Sequence, residues 1–144
     1  MNELERSKQN ISVPEDRKDH HEKVLCLCRA FDSLIGNIDR SQQNLCYTDD
    51  WRVILIDHSR GFRWKRFYVD QLIYGQKGMR KKDYVPLPRW FVENVKALNR
   101  ENIRKAVGKY LKGVEIDGIL QRKKLMLKEI QSMIKDRGEE HVLY

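Results

Sequence analysis

From His20 onward the apolar positions Val24, Leu27, Cys28, Phe31, Leu34 and Ile35 recur three and four residues apart, the spacing of one helix face, until Gly36 supplies a natural stop. Then the period changes. Leu45-Cys-Tyr47 and Arg52-Val-Ile-Leu-Ile56 alternate as short strands do, and Thr48-Asp-Asp-Trp51 between them predicts a hairpin. Beyond Pro86 and Pro88 the helical period returns, first in Leu87, Phe91, Val95 and Leu98. Asn99 separates that stripe from Ile103, Val107, Tyr110 and Leu111, which run to Gly113. A last helix over about 115–137 carries Ile116, Ile119, Leu120, Leu127, Ile130 and Ile134 and stops at Gly138; its Arg122-Lys-Lys124 reads as a solvated face. The pattern predicts a mainly α chain with one small β-hairpin. Residues 1–19 are polar and are expected to form a mobile segment, with Ser12-Val-Pro14-Glu15 as a helix start of capping-box type. Residues 20–144 form the domain.

At 144 residues the chain has the length of one domain with a single core. A net charge of +8 implies attraction to anionic partners, although 35% charged residues also serve solubility. Cys26, Cys28 and Cys46 are an odd count without paired C-x-x-C spacing, which argues against a zinc site or a disulfide framework. No apolar run approaches the roughly 18 residues of a membrane span, and Met1-Asn-Glu-Leu-Glu lacks the apolar core of a signal peptide. A reducing, cytoplasmic location is expected.

The chemistry gathers around the hairpin. Asp39 is followed five residues later by Asn44, and the second strand then delivers Asp57. In phosphoryl transfer by kinases, a loop Asp orients the attacking hydroxyl. An Asn five residues on and an Asp at the end of the next strand hold Mg²⁺ against nucleotide phosphates. Magnesium prefers oxygen ligands and keeps several waters, so one carboxylate and one amide oxygen suffice. Taken singly, Asp39 could cap a turn, Asn44 start a strand and Asp57 end one. Their joint spacing, with a helix before and a hairpin between, favours the metal-phosphate site.

On these residues the chain resembles the C-terminal lobe of protein-kinase-like phosphotransferases, in the branch of the phosphoinositide 3/4-kinases and HipA-type bacterial kinases. The resemblance rests on Asp39-Arg40…Asn44 and Ile56-Asp57-His58-Ser59, and it is closest to uncharacterised bacterial proteins carrying FD-LI-N-DR---N…IDHSRAFR. Phe31-Asp32, Leu34-Ile35, Asn37 and Ile56 to Arg63 echo that pattern. Ser41 stands where lipid kinases have His, and His58-Ser59 where Phe-Gly is usual. The resemblance implies a kinase-like C-lobe using Mg²⁺ or Mn²⁺ with ATP. It makes Asp39 the catalytic base or hydroxyl-orienting group, Asn44 and Asp57 the cofactor and metal ligands, and Arg40 a phosphate neutraliser or loop anchor; His58 is read as structural.

Nothing before Asp39 offers a Gly-rich run or a V-A-I-K-like strand, so the phosphate-covering N-lobe is expected from an upstream segment or another chain. The alternative is a non-catalytic scaffold lobe that binds an anionic partner. Two cation-rich runs, Arg60-Gly-Phe-Arg-Trp-Lys-Arg66 and Lys77-Gly-Met-Arg-Lys-Lys82, follow Asp57. The favoured reading of them is a solvated face with buried aromatics. Contact with an anionic or phosphorylated substrate comes second and single-stranded nucleic acid third.

Overall fold

A computed structural model of the chain describes residues 1–75 and 86–144. It is mainly helical with one two-stranded antiparallel hairpin. Helix α1 (Glu3–Lys8) is followed by a 3₁₀ turn at Glu15–Arg17 that runs into α2 (Lys18–Ile35). Pro14 precedes that turn and no side chain caps it, so the expected Ser12 capping box is not formed. Instead a capping box closes α1, where Asn2 accepts from the Glu5 N–H and Glu5 accepts from the Asn2 N–H. The polar start is tied down: the Tyr47 N–H donates to Met1 O at 2.7 Å, and the Tyr47 hydroxyl donates to Glu3 at 2.8 Å.

The hairpin is β1 (Leu45–Tyr47) with β2 (Val53–Leu55), in a register that sets Leu45 opposite Leu55. A single-turn α3 (Arg66–Val69) follows, then α4 (Arg89–Ala97), α5 (Arg100–Val107), α6 (Gly113–Arg137) and a one-turn α7 (Glu139–Val142). Asn99 caps α5 with its side chain, as its position between two stripes implies. The α5 stripe ends sooner than its apolar pattern predicts. The helix stops at Val107, and Tyr110, expected in the core, is 77% exposed. After α7, Leu143 bridges Leu87 in parallel, which draws the chain's last residues against the start of α4.

Helix α6 is the axis of the molecule and packs against α2, α3, α4, α5 and α7. Its buried stripe runs Ile116, Ile119, Arg122, Met126, Ile130 and Met133. Arg122 is therefore not on a solvated face: it occupies a core position at helical spacing between Ile119 and Met126 and is fully buried. Cys26, Ala30 and Leu34 of α2 and Phe91, Val92 and Val95 of α4 complete the core around this axis. The aromatic run after Asp57 also departs from expectation. Phe62 packs against the core, but Trp64 and Phe67 are 49% and 62% exposed. The second cation-rich run, Lys77 to Lys82, lies outside the described residues.

Candidate active site

The site begins where α2 ends. The last four carbonyls of an α-helix have no partner within it and must find donors elsewhere. Asp32 O accepts from Asn37 N–H at 2.8 Å and Ser33 O from Gly36 N–H at 3.2 Å, the crossed pair of a Schellman motif. Gly36 makes this turn in the left-handed region, at φ 74° and ψ 26°. Leu34 O accepts from Arg122 Nε at 2.9 Å, and Ile35 O from Phe62 N–H at 2.5 Å. The loop carrying Asp39 thus leaves a helix end whose other bonds reach α6 and the segment after Asp57.

The Ser41 side chain accepts from Gln43 N–H and opens a 3₁₀ turn, Gln42–Asn44, that feeds β1. Ile56 N–H donates to Asn44 O at 3.0 Å, which extends the ladder one step beyond the strands. Strand alternation would face Asn44 with Ile56 and turn Asp57 to the opposite side. Asp57 escapes that alternation by taking the left-handed conformation, φ 53°, and Asn44 Nδ2 donates to its Oδ2 at 3.2 Å. Such a backbone costs a non-glycine residue about 1 kcal/mol. Here Ser59 N–H offsets part of it by donating to Asp57 Oδ1 at 3.0 Å. Hydrogen bonding from Ser59, with smaller help from Asn44 and Arg60, holds the Asp57 carboxyl below the usual carboxylate range.

Asp39, Asn44 and Asp57 line one open cleft of about 240 Å³, together with Asn37, Arg40, Ser41, Gln43 and Arg60. The three residues named from the sequence are brought together. Arg40, the fourth, lines the cleft but is fully committed. Its guanidinium makes a two-point bond to Asp32 at 2.6 and 2.7 Å, donates to Ile56 O at 2.8 Å and Asn44 O at 3.4 Å, and lies 2.9 Å from His58 Nδ1. Only 9% of its side chain is exposed and 3% of that of Asp32. Of the two roles expected of Arg40, this geometry is that of the anchor: it grips the residue before and the residue after Asp57, and Asn44 itself. His58 is structural in the same sense, with its ring edge-on to Phe31 at 5.6 Å.

Four residues of the site were given no role in it by the sequence reading, although Asp32, Asn37 and Arg60 belong to the pattern that carries the resemblance. Asp32 sits on the buried face of α2, one turn after Cys28, and a buried carboxylate on an apolar face demands a cationic partner. Arg60, lost in a run of cations, donates to the Asp39 carboxylate. Asn37, 2% exposed, has a side-chain oxygen with no hydrogen-bond partner. Arg122 carried a legible signal in its place on the α6 core stripe.

The donor set fits a hard divalent cation. Two oxygens at right angles around magnesium, each at 2.0–2.1 Å, lie about 2.9 Å apart, close to the 3.2 Å between the Asn44 amide and Asp57. Turning the Asn44 amide over would present its oxygen beside the carboxylate. Among the described residues no group of three His, Cys, Asp or Glu side chains could hold a metal, so such a cation would rest on one carboxylate, one amide and its own waters.

Among the described residues, no helix is long and apolar enough to cross a membrane. In comparisons with known proteins, no family model, no curated protein and no solved structure matches this chain.

Proposed function

We propose that the chain is the C-terminal catalytic lobe of a kinase-like phosphotransferase that uses ATP with Mg²⁺ or Mn²⁺. The observation that carries this reading is the convergence of Asp39, Asn44 and Asp57 on one open cleft. Asp57, ionised well below neutral pH, and Asn44 are the cation ligands. Asp39 orients an acceptor hydroxyl and takes its proton as the oxygen attacks the γ-phosphorus and ADP leaves. Arg40 keeps the two walls in register. A bound cation would neutralise phosphate charge; this chain's side chains supply position, the main source of catalysis in such sites.

The phosphates still need a covering lobe. An apolar hollow of about 450 Å³ beside the hairpin, lined by Val24, Leu27, Phe31, Val53, Leu55 and the 60%-exposed Trp90, supports a partner lobe seated there. A second reading, a non-catalytic scaffold that binds an anionic partner, is favoured by one observation: the Asp39 carboxylate is already held by Arg60.

Calorimetric titration with Mn²⁺–ATP tests the reading. Weak binding by the wild type that Asp57→Asn weakens further is expected, because the principal carboxylate ligand is lost. Asp39→Ala should leave this affinity nearly unchanged while lowering transfer about 10²–10⁴-fold in the presence of a partner lobe. The chain alone should transfer phosphate negligibly, since orientation accounts for roughly 7–11 kcal/mol of barrier reduction and half a site lacks much of it. Equal affinity of wild type and Asp57→Asn removes Asp57 from the site. Continued inactivity with a complete lobe leaves the scaffold.

A further inference from the structure

Arg122 is an unusual residue to find at the centre of a helical core. It is 0% exposed, yet no acid pairs with it among the described residues. Arginine is almost never fully buried unless paired, and an unpaired ion in the interior costs several kcal/mol. The side chain donates through Nε to Leu34 O at 2.9 Å and through Nη1 to Arg63 O at 2.6 Å, and Nη2 has no partner. Burial pushes it down to about 10, so it stays cationic at neutral pH.

Two glycines make room for it. A Cβ at Gly36 would lie 2.8 Å from Arg122 Cζ, and one at Gly118 would lie 3.2 Å from Nη1. A Leu or Met would fill this core position without the desolvation cost, so packing does not account for the arginine. What distinguishes it is the origin of the two carbonyls. Leu34 O belongs to the negative end of α2, from which the Asp39 loop departs, and a cation is favoured there. Arg63 O belongs to the segment leaving Asp57 and Arg60. The two walls of the cleft therefore meet on one guanidinium, which reaches them from a third element.

We infer that Arg122 is a positioning residue of the candidate active site: by holding Leu34 O and Arg63 O together it fixes the spacing between the loop that carries Asp39 and the segment that carries Asp57 and Arg60. This rests on the phosphotransfer reading for its purpose but not for its geometry. The flat guanidinium is essential, because two donors at fixed separation serve two acceptors at once; a lysine ammonium is a point charge on a flexible stem.

The test uses Arg122→Met, which fills the volume without the donors, and Arg122→Ala, which leaves a cavity bordered by Gly36 and Gly118. Two measurements are made on the full chain: Mn²⁺–ATP affinity by calorimetry, and hydrogen exchange at the Asn37 and Phe62 amides, which bond to the end of α2. In both variants affinity is expected to fall about 10–100-fold, the usual cost of losing a residue that orients ligands. Exchange at those two amides should rise while the α4 and α5 amides stay protected. Millimolar guanidinium should restore both readouts in Arg122→Ala but not in Arg122→Met, whose cavity is filled. Unchanged exchange at Asn37 and Phe62 overturns the inference, as does uniformly faster exchange through the core without rescue. A wild type that binds no Mn²⁺–ATP refutes the phosphotransfer reading alone, and local exchange with guanidinium rescue then still decides the role of Arg122.

Discussion

Arg60 reaches across the candidate cleft and donates through Nη1 to the carboxylate of Asp39, twenty-one residues earlier in the chain. Each belongs to a different wall, one entering the hairpin and one leaving it. Both side chains are more than half exposed, so the pair is screened and contributes at most about 1 kcal/mol to stability. Its interest is therefore chemical. The residue assigned to orient a hydroxyl is held by the one cation of the cleft, among the described residues, that is not committed to the protein's interior.

Arg60→Gln should accordingly leave thermal stability nearly unchanged, within about 4 °C at roughly 2–4 °C per kcal/mol for a chain of this size. The same change removes one exposed positive charge from the cleft and should weaken binding of the anionic Mn²⁺–ATP, by about tenfold at most. A variant that loses stability and keeps its affinity would reduce Arg60 to a surface staple.

The Asp32–Arg40 pair is the opposite case, because both partners are withdrawn from water. Asp32→Ala leaves the Arg40 charge buried and alone, and should cost about 3–5 kcal/mol in urea denaturation. Replacing both, as Asp32→Leu with Arg40→Met, should cost less than Asp32→Ala alone, since no orphaned charge remains. The double variant should nevertheless lose Mn²⁺–ATP binding, because Arg40 also holds Asn44 O and Ile56 O. Additive losses from the two single changes would mean that the pair is not coupled.

Acid should loosen the N-terminal helix before it touches the cleft. His21 is 8% exposed, and its Nε2 lies 3.2 Å from the Tyr47 hydroxyl, which itself donates to Glu3. Burial first, and then the nearby Arg6, holds His21 below its ordinary value. The folded state therefore takes up its proton later than the unfolded chain. The stability carried by neutral His21 is complete above the ordinary value near 6.5 and is lost as pH falls from there toward the folded value. Glu3, held below the usual carboxylate range chiefly by Arg6, loses its contribution only at lower pH. Melting curves between about pH 7 and pH 5 should show a loss that His21→Gln abolishes. An unchanged slope in that variant would place the titrating group elsewhere.

Much of this protein was determined locally. The stripe Val24 to Ile35 with Gly36 behind it specifies α2 and its left-handed stop, because helical period and a Cβ-free turn are both properties of neighbours in sequence. The alternation on either side of Thr48 to Trp51 specifies the hairpin, and Asn99 specifies the break between α4 and α5. The candidate ligands were legible for the same reason: a hairpin of fixed length returns the chain to its starting point, so the backbones at Asn44 and Asp57 end close together.

Tertiary structure decided what those neighbours could do. Pleat alternation would have turned Asp57 away from Asn44, and the left-handed backbone that rotates it back is sustained by the turn through Ser59 and Gly61. Arg40 and Arg60 are both arginines beside the same cleft, and sequence could not tell the buried anchor from the exposed cation. The difference is whether a buried acid stands opposite, and Asp32 does so for Arg40 alone. Arg122 was misread as solvated because three successive cations usually face water. It is buried because it lies on the core-facing stripe of α6 and because Gly36 and Gly118, distant from each other in the chain, together leave a space that a guanidinium fills. Burial, which separates Arg40, Asp32 and Arg122 from the exposed charges of the cleft, belongs to elements that meet only in the folded molecule.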